Sequence, residues 1–378
     1  MQVIYLISIL LLLIYTLLII YYRQSWLSIP DFKPVANAAP ATKISIIIPA
    51  RNEEENIAVC LDSIIHQNYP THLFELLVVD DHSTDNTHKI VLSYSDKNVK
   101  LINLKDFIAP GEIKSYKKKA IEIAIQQSTG ELIVTTDADC IAPNNWLPTI
   151  AAFYEERNPE FIVMPVAIKH SSRFIEIFQA LDFMTLQGIT GASVFKKFHS
   201  MCNGANLAYT KKAFIAVDGF KGIDNIASGD DMLLLHKIYT RYPGGIAYLK
   251  STEAIIQTQP VHSVGQFFNQ RIRWASKADK YDDKRIFVVL ILVYFFNVWI
   301  FLLAVGIFFF SIALHLFILL VAKTIVELLF LFPVASFFNH TKLLWWFPIA
   351  QPFHVLYTVI AGWLGKFGSY HWKERKVS

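Results

Sequence analysis

Charge is scarce in this sequence. Of 378 residues, 35 are Lys or Arg and 31 are Asp or Glu, so 17% are charged, against about 25% in an ordinary soluble domain. A deficit of that size places part of the chain in lipid. The net charge of +4 is too small for a nucleic-acid footprint, so nucleic acid is not an expected partner; a mild attraction to an anionic membrane face is the better reading. Cysteine is scarce too. Cys60, Cys140 and Cys202 lie far apart, without metal-type spacing or a disulfide framework, and a reducing compartment suits them. A Gly-Lys-Thr-type phosphate loop is missing, which argues against ATPase chemistry. Internal repeats and low-complexity tracts are also missing.

Apolar runs are plentiful. Residues 3–22 form an almost unbroken one with no charge before Arg23, long enough for about 20 residues of spanning helix. A signal peptide is the competing reading, but it needs a basic start and a shorter apolar core; residues 1–22 are therefore expected to be a transmembrane anchor. Residues 23–42, with Pro30, Pro34 and Pro40, read as a linker. Residues 285–365 are again apolar, and transmembrane or interfacial helices are expected near 286–308, 312–336 and 343–364, the last broken by Pro348 and Pro352. Lys323 and Glu327, four apart within the second, predict an ion pair on one helix face. A basic tail, 366–378, carries Lys366, Lys373, Arg375 and Lys376. Arg23, Lys33, Lys284 and Arg285 lie beside membrane ends and favour a cytoplasmic location for residues 23–284. Three C-terminal crossings would then put the basic tail on the wrong side.

Between these stretches, residues 43–284 read as one α/β domain. Apolar strands are expected at 44–48, 76–79, 99–103 and 132–136. A helix carries Ile57, Leu61, Ile64 and Ile65 on one face, and another runs over 117–127. Such alternation implies a mostly parallel sheet with helices on both faces, whose ligands bind at the carboxyl ends of the strands. The segment 174–184, apolar and aromatic at helical spacing, is expected to be core, with the membrane surface as the alternative.

Polar clusters follow the strands. Pro49-Ala50-Arg51-Asn52-Glu53-Glu54 follows the first, Asp80-Asp81-His82-Ser83-Thr84-Asp85 the second, and Asp137-Ala138-Asp139 the fourth. Ser228-Gly229-Asp230-Asp231 opens a helical stretch. Each alone admits a turn or a helix cap. Together they put carboxylates repeatedly at one sheet edge, where two leaving a strand one residue apart can reach a hard cation such as Mg2+ or Mn2+. Such a cation neutralises a departing diphosphate. Gln270-Arg271-Ile272-Arg273-Trp274 lies downstream; its arginines can pair with diphosphate oxygens and Trp274 offers a stacking face. An amphipathic helix at the membrane surface is the other reading of that segment.

Those motifs, in that order from Lys43 to Ala278, resemble the family 2 glycosyltransferases, which include cellulose and chitin synthase-like enzymes. The resemblance implies a GT-A fold beside the membrane helices, a divalent metal, and inverting transfer from a nucleotide-sugar donor to a lipid-linked or cell-envelope glycan acceptor at a bacterial-type inner membrane. By position it implies that Pro49, Arg51, Glu53, Asp80, Asp81 and Asp137 form the donor pocket, with Lys118 or Lys119 approaching it and Lys119 preferred. It implies Asp139, with Asp137, as metal ligand, and Asp231 as catalytic base, with Asp230 beside it in an Asp-Asp pair where Glu-Asp is commoner. Asn203, Gly204, Gln270, Arg271, Arg273 and Trp274 would line the acceptor and diphosphate side. About three C-terminal segments are thin for a polymer channel, so single transfer is preferred to a processive synthase. A non-catalytic scaffold would have no use for the full set of carboxylates. A nucleotidyltransferase would need a basic Gly-rich loop where this chain is acidic.

Overall fold

The computed structural model describes residues 1–34, 40–109, 112–199, 201–226, 229–276, 283–367, 370–372 and 375–377. In chain order the elements are α1 (Gln2–Ser28), β1 (Ile44–Ala50), α2 (Ile57–Ile65), β2 (Phe74–Asp80), α3 (Thr87–Leu92), β3 (Val99–Asn103), α4 (Tyr116–Gln127), β4 (Leu132–Thr135), α5 (Trp146–Arg157), β5 (Phe161–Val163), β6 (Val166–Ile168) and α6 (Phe174–Lys196). They continue as β7 (Leu207–Thr210), α7 (Lys211–Ala216), α8 (Asp230–Arg241), β8 (Ile246–Tyr248), β9 (Ile256–Thr258), α9 (Val264–Ala275), α10 (Lys284–Gly306), α11 (Ala313–Phe337), α12 (Phe347–Phe367), β10 (Tyr370–Trp372) and β11 (Arg375–Val377). Two compact units result, one of residues 30–167 and 200–259, the other of residues 1–29, 168–199 and 260–378.

The first unit is built on a seven-stranded sheet in the order β3-β2-β1-β4-β7-β5-β8. β3, β2, β1 and β4 are parallel, and β7 runs antiparallel between β4 and β5. Ile46, Ile47 and Ile48 of β1 are fully buried, as an apolar run must be in a central strand covered on both faces. Register sets the functional edge. Ala50 pairs with Asp80 and Asp80 with Asn103, while Thr135 pairs with Ile47. The chain leaving β4 therefore delivers Asp137 near the level at which β1 and β2 end. All four expected strands form, and β1 and β2 are longer than expected by two or three residues.

The second unit is helical. α1, α10, α11 and a stretch from Thr341 to Lys366 are long and apolar enough to cross a membrane. α1 and α11 run parallel: Tyr5 meets His315 edge to face, Tyr15 bonds Glu327, and Trp26 meets Phe337. The expected Lys323–Glu327 pair forms at 2.7 Å, and Gln351 of α12 bonds both partners. Lys323, Glu327, Gln351 and Tyr15 thus each have a hydrogen-bond partner within this set, as a low-dielectric setting requires.

Two boundaries differ from expectation. The anchor helix does not stop at Tyr22. It continues to Ser28 because Tyr22, Ser25 and Trp26 are buried, with Tyr22 bonded to His199. The expected single domain over 43–284 is also divided. α6 packs with α1, α11 and α12 in the helical unit, and α9 packs with α12. Gly188 permits the α6–α11 approach, since a Cβ there would meet Val334 Cγ2 at 2.6 Å. The 174–184 segment is thus core, but core of the helical unit. In the expected basic tail β10 and β11 pair antiparallel, while Lys373 lies outside the described residues, as does part of the 23–42 linker.

Gly130 enters β4 beside β1, where a Cβ would lie 2.5 Å from the Ser45 backbone nitrogen. Gly130→Ala is expected to cost about 1–3 kcal/mol through overpacking against backbone. Thermal unfolding of the detergent-solubilised protein should show a midpoint several degrees lower; an unchanged midpoint would contradict this approach.

Candidate functional site

The first part of the sheet edge is a polar basin after β1 and β2. Arg51 Nη1 donates to the carbonyls of Asp81 at 2.7 Å and His82 at 3.1 Å and lies 3.9 Å from the Asp81 carboxylate. His82 Nδ1 is 3.0 Å from Asp81 Oδ1. Asp80 accepts from the Ser83 backbone N–H at 3.1 Å, with His88 at 3.5 Å. The Glu53 carboxylate accepts from Asn56. Arg51 and Asp81 are in contact, Pro49 and Ala50 pair with Val79 and Asp80 across β1 and β2, and Glu53 lies in the turn that follows β1. Asp85 serves the turn instead: burial alone would raise its pKa, but bonds from the Thr87 hydroxyl and N–H and the Glu54 N–H hold it below the ordinary value.

The second part gathers residues from β4, α4, α8 and the segment before β7. Lys117 Nζ sits 2.8 Å from Asp137 Oδ1 and 3.3 Å from Asp230 Oδ2. Burial alone would lower its pKa, but Asp137 and Asp230 more than offset this, so the ammonium stays charged. Asp231 Oδ2 accepts from the Gly204 N–H at 3.0 Å, and Oδ1 from the Met232 N–H at 2.8 Å. Gly204 packs close to the acid pair: a Cβ there would stand 3.3 Å from Lys117 Nζ and 3.4 Å from Asp230 Oδ2. Asp230 and Asp231 occupy the first turn of α8, where the helix dipole favours anions, behind Gly229 at φ 78°. Ser228, expected in this cluster, lies outside the described residues. Asp139 accepts from Thr258 Oγ1 at 3.2 Å. Asn203 accepts from the Ala205 N–H, and buried Asn206 ties Trp146 to the Pro165 and Ala254 carbonyls.

Lys117, and not the expected Lys118 or Lys119, is the lysine that lies beside Asp137 and Asp230. Lys119 pairs with Glu122 at 2.9 Å. Lys118 is buried and donates to the Ile223 and Ile226 carbonyls, and burial pushes its pKa down to about 8. Each step along a helix turns about 100°, so only Lys117 of the three faces the carboxylates. Sequence pattern alone could have found it only by fixing which face of α4 covers β1 and β2. Thr258 carried no sequence signal at all.

Behind the site, Cys60 Sγ lies 3.7 Å from the Asp137 carbonyl and Cys140 Sγ 3.6 Å from Asp139 Oδ1. Burial first, then Asp139 and Asp137, pushes both thiols up, so they stay protonated and are poor ligands. Among the described residues, no three His, Cys, Asp or Glu side chains form a closed metal cage. Asp137 and Asp139 supply hard oxygen donors, and Asp137 is 38% exposed. That set fits a cation of the kind held by one or two carboxylates and completed by water and phosphate oxygens.

Gln270, Arg271, Arg273 and Trp274 lie on α9 in the helical unit. The reading of Arg271 as a diphosphate ligand needs correction. Its Nη2 is 2.8 Å from Asp182 Oδ2, its Nε bonds the same carboxylate, and its Nη1 donates to Gln270. Its guanidinium is stacked against Phe267 and Trp274 at 4.6 and 4.2 Å. Tyr357 of α12 bonds the other Asp182 oxygen.

Comparison with known proteins agrees with this fold. The family model for glycosyl transferase family 2 matches residues 45–217, and that for glycosyl transferase family group 2 matches residues 132–363. The glycosyltransferase AglE of Haloferax volcanii is 36% identical over 104 residues, 28% of this chain and 33% of that protein. The UDP-Glc:alpha-D-GlcNAc-diphosphoundecaprenol beta-1,3-glucosyltransferase WfgD of Escherichia coli is 30% identical over 142 residues, 38% of this chain and 53% of that protein. The chain thus spans a third to a half of these relatives. The mannosyltransferase PcManGT from Pyrobaculum calidifontis, solved with GDP-Man and Mn2+, superposes with a TM-score of 0.59 at 20% identity, over 93% of this chain and 99% of that one. At that identity the likeness is one of fold.

Lys117→Met, which leaves Asp137 and Asp230 without their shared cation, is expected to lower turnover by about 10²-fold, the scale for losing one preorganised electrostatic group. Lys119→Met should stay within roughly twofold, as for a surface substitution. Steady-state assays of the two variants side by side distinguish the registers, and equal losses would contradict this one.

Proposed function

Because the chain belongs to the family 2 glycosyltransferases, we propose that it transfers one sugar, with inversion, from a nucleoside-diphosphate donor to a lipid-linked or cell-envelope glycan acceptor. The observation that carries this reading is the Lys117 ammonium between Asp137 and Asp230, with Asp231 oriented beside it by the Gly204 and Met232 N–H groups. Pro49, Arg51, Glu53, Asp80 and Asp81 make the donor pocket, with Asp81 toward the base or ribose. Asp137 and Asp139 would hold Mg2+ or Mn2+, which when bound offsets the charge of the diphosphate. Asp231 takes the proton of the acceptor hydroxyl as that oxygen attacks the anomeric carbon. Lys117 keeps Asp137 and Asp230 ionised and adds a fixed positive charge where the diphosphate departs.

The acceptor class is supported by the four apolar helices and by WfgD, whose acceptor carries diphosphoundecaprenol. Arg23, Lys284 and Arg285 support a cytoplasmic catalytic unit, since basic residues concentrate on that side.

Nucleoside-diphosphate release by the solubilised protein tests the reading, with a panel of nucleotide sugars, Mn2+ or Mg2+, and membrane lipid extract. Release from one donor should depend on the metal. Asp231→Asn should lower it by about 10²–10⁴-fold, the scale of general-base catalysis, while donor binding by calorimetry persists. Asp139→Ala should weaken metal-dependent donor binding itself. Failure to bind any nucleotide sugar with metal present would sink the proposal.

A further inference from the structure

The loop between α7 and α8 is held by its carbonyls. Lys118 Nζ of α4 donates to Ile223 at 2.6 Å and to Ile226 at 2.7 Å. Ser115, just before α4, donates to Asp224. From the other side, Lys237 Nζ of α8 donates to Gly219 at 2.6 Å and to Lys221 at 2.8 Å. The loop also bonds to itself, from the Lys221 N–H to Asp218 and from the Ile223 N–H to Phe220, each at 3.0 Å. Asp218, Gly219 and Gly222 turn the chain at φ 54°, 48° and 86°, which aims its carbonyls at the two ammonium groups.

The helices that grip this loop are the ones that carry the charges of the site. α4 carries Lys117, next to Lys118, and α8 carries Asp230 and Asp231. Lys237 follows Asp230 by about two turns and so lies on the same face of α8. α4 and α8 are thus linked twice. The first link is the Lys117–Asp230 pair at 3.3 Å. The second is the loop, tied to α4 by Lys118 and Ser115 and to α8 by Lys237.

The donors are unusual for the task. Buried carbonyls need a partner, but a neutral one suffices, as the Ser115 hydroxyl shows. Burial disfavours the charged form of a lysine. Lys118 is 2% exposed, and burial pushes its pKa down to about 8, although Asp230 and Asp231 of α8 and Asp224 of the loop raise it. Burial lowers that of Lys237 too, against Asp218 and Asp224. The charge on Lys118 has a use, since Asp230 and Asp231 are within its electrostatic reach and are themselves crowded like charges.

We propose that Lys118 and Lys237 are positioning residues, clamping the loop 219–226 between α4 and α8 and thereby setting the approach of Lys117 to Asp230 and the aim of Asp231. The inference rests on the role proposed above for the acid pair and adds how that pair is held. Both lysines act through α8: with the loop gripped, Asp231 keeps its bonds from Gly204 and Met232, and with the grip released the first turn of α8 shifts.

Lys118→Met and Lys237→Met, in the full-length detergent-solubilised protein, remove the donors and keep the length of each side chain. Hydrogen–deuterium exchange needs no turnover and is read first. Both variants are expected to exchange several-fold faster over residues 203–206 and 229–235, with β1, β2 and β4 unchanged. Should Lys118→Met not fold, Lys237→Met stands alone, because that side chain is only partly buried; unchanged exchange in it overturns the proposal. Nucleoside-diphosphate release is the second readout. In the unsubstituted protein kcat should fall as the pH rises through about 8, where Lys118 loses its proton. Lys237→Met should lower kcat by about 10–10²-fold, the scale of a small misplacement, while donor binding by calorimetry and the alkaline fall both persist. Lys237→Arg, which still donates, should recover most of the loss. Lys118→Met should lower kcat alike and abolish the alkaline fall. A fall that persists in Lys118→Met, or kcat unchanged in both Met variants, overturns the clamp. Absence of release from the unsubstituted protein would instead count against glycosyl transfer, and the exchange result would still decide the clamp.

Discussion

Bringing Asp137 and Asp230 to one edge of a sheet sets like charges against each other. Two unit charges about 4 Å apart interact by about 4 kcal/mol at an effective dielectric of 20. The Lys117 ammonium lies within salt-bridge distance of both carboxylates and turns that repulsion into attraction. Much of the local sequence serves this placement. Gly204 leaves room for the ammonium while its N–H orients Asp231. Lys118, one step round the helix, holds the Ile223 and Ile226 carbonyls, and Ser115 holds that of Asp224. The first turn of α4 thus supplies both the counter-charge and the tie on the loop leading to the acid pair.

What was legible in the sequence followed from short-range pattern. Apolar runs at 44–48, 76–79, 99–103 and 132–136 became parallel strands, and the acids after them fell at one edge because parallel strands end on the same side. The Lys323–Glu327 spacing likewise stated its own contact. Three features were not legible, for three reasons. The choice among Lys117, Lys118 and Lys119 depends on how α4 rotates against β1 and β2. The extension of α1 to Ser28 depends on Tyr22 finding His199, 177 residues away. Asp182 sits mid-helix in an apolar segment, and nothing local announces that Arg271 and Tyr357 will reach it.

The helical unit handles its polar groups by a common rule. Lys323, Glu327, Gln351 and Tyr15 form one closed set; Asp182, Arg271, Gln270 and Tyr357 form another. Removing one member of such a buried set strands the others at about 3–5 kcal/mol, so each set fixes which helices touch and in what register. Apolar packing alone specifies this poorly in lipid, where tails compete on equal terms with leucine side chains. Both sets include a residue of α12, Gln351 and Tyr357, which ties that helix to α11, α6 and α9.

Arg271 shows how a shared motif can be divided between tasks. Recruiting its guanidinium to a phosphate would require leaving Asp182 buried and uncompensated, and would unstack it from Phe267 and Trp274. The same stacking covers one face of Trp274, so the indole that looked available for a sugar is already used to seat an arginine. Arg273, two residues on, is turned about 200° around the helix from Arg271 and belongs to a different face of α9. The spacing of the motif thus keeps Arg273 off the face on which Arg271 meets Asp182.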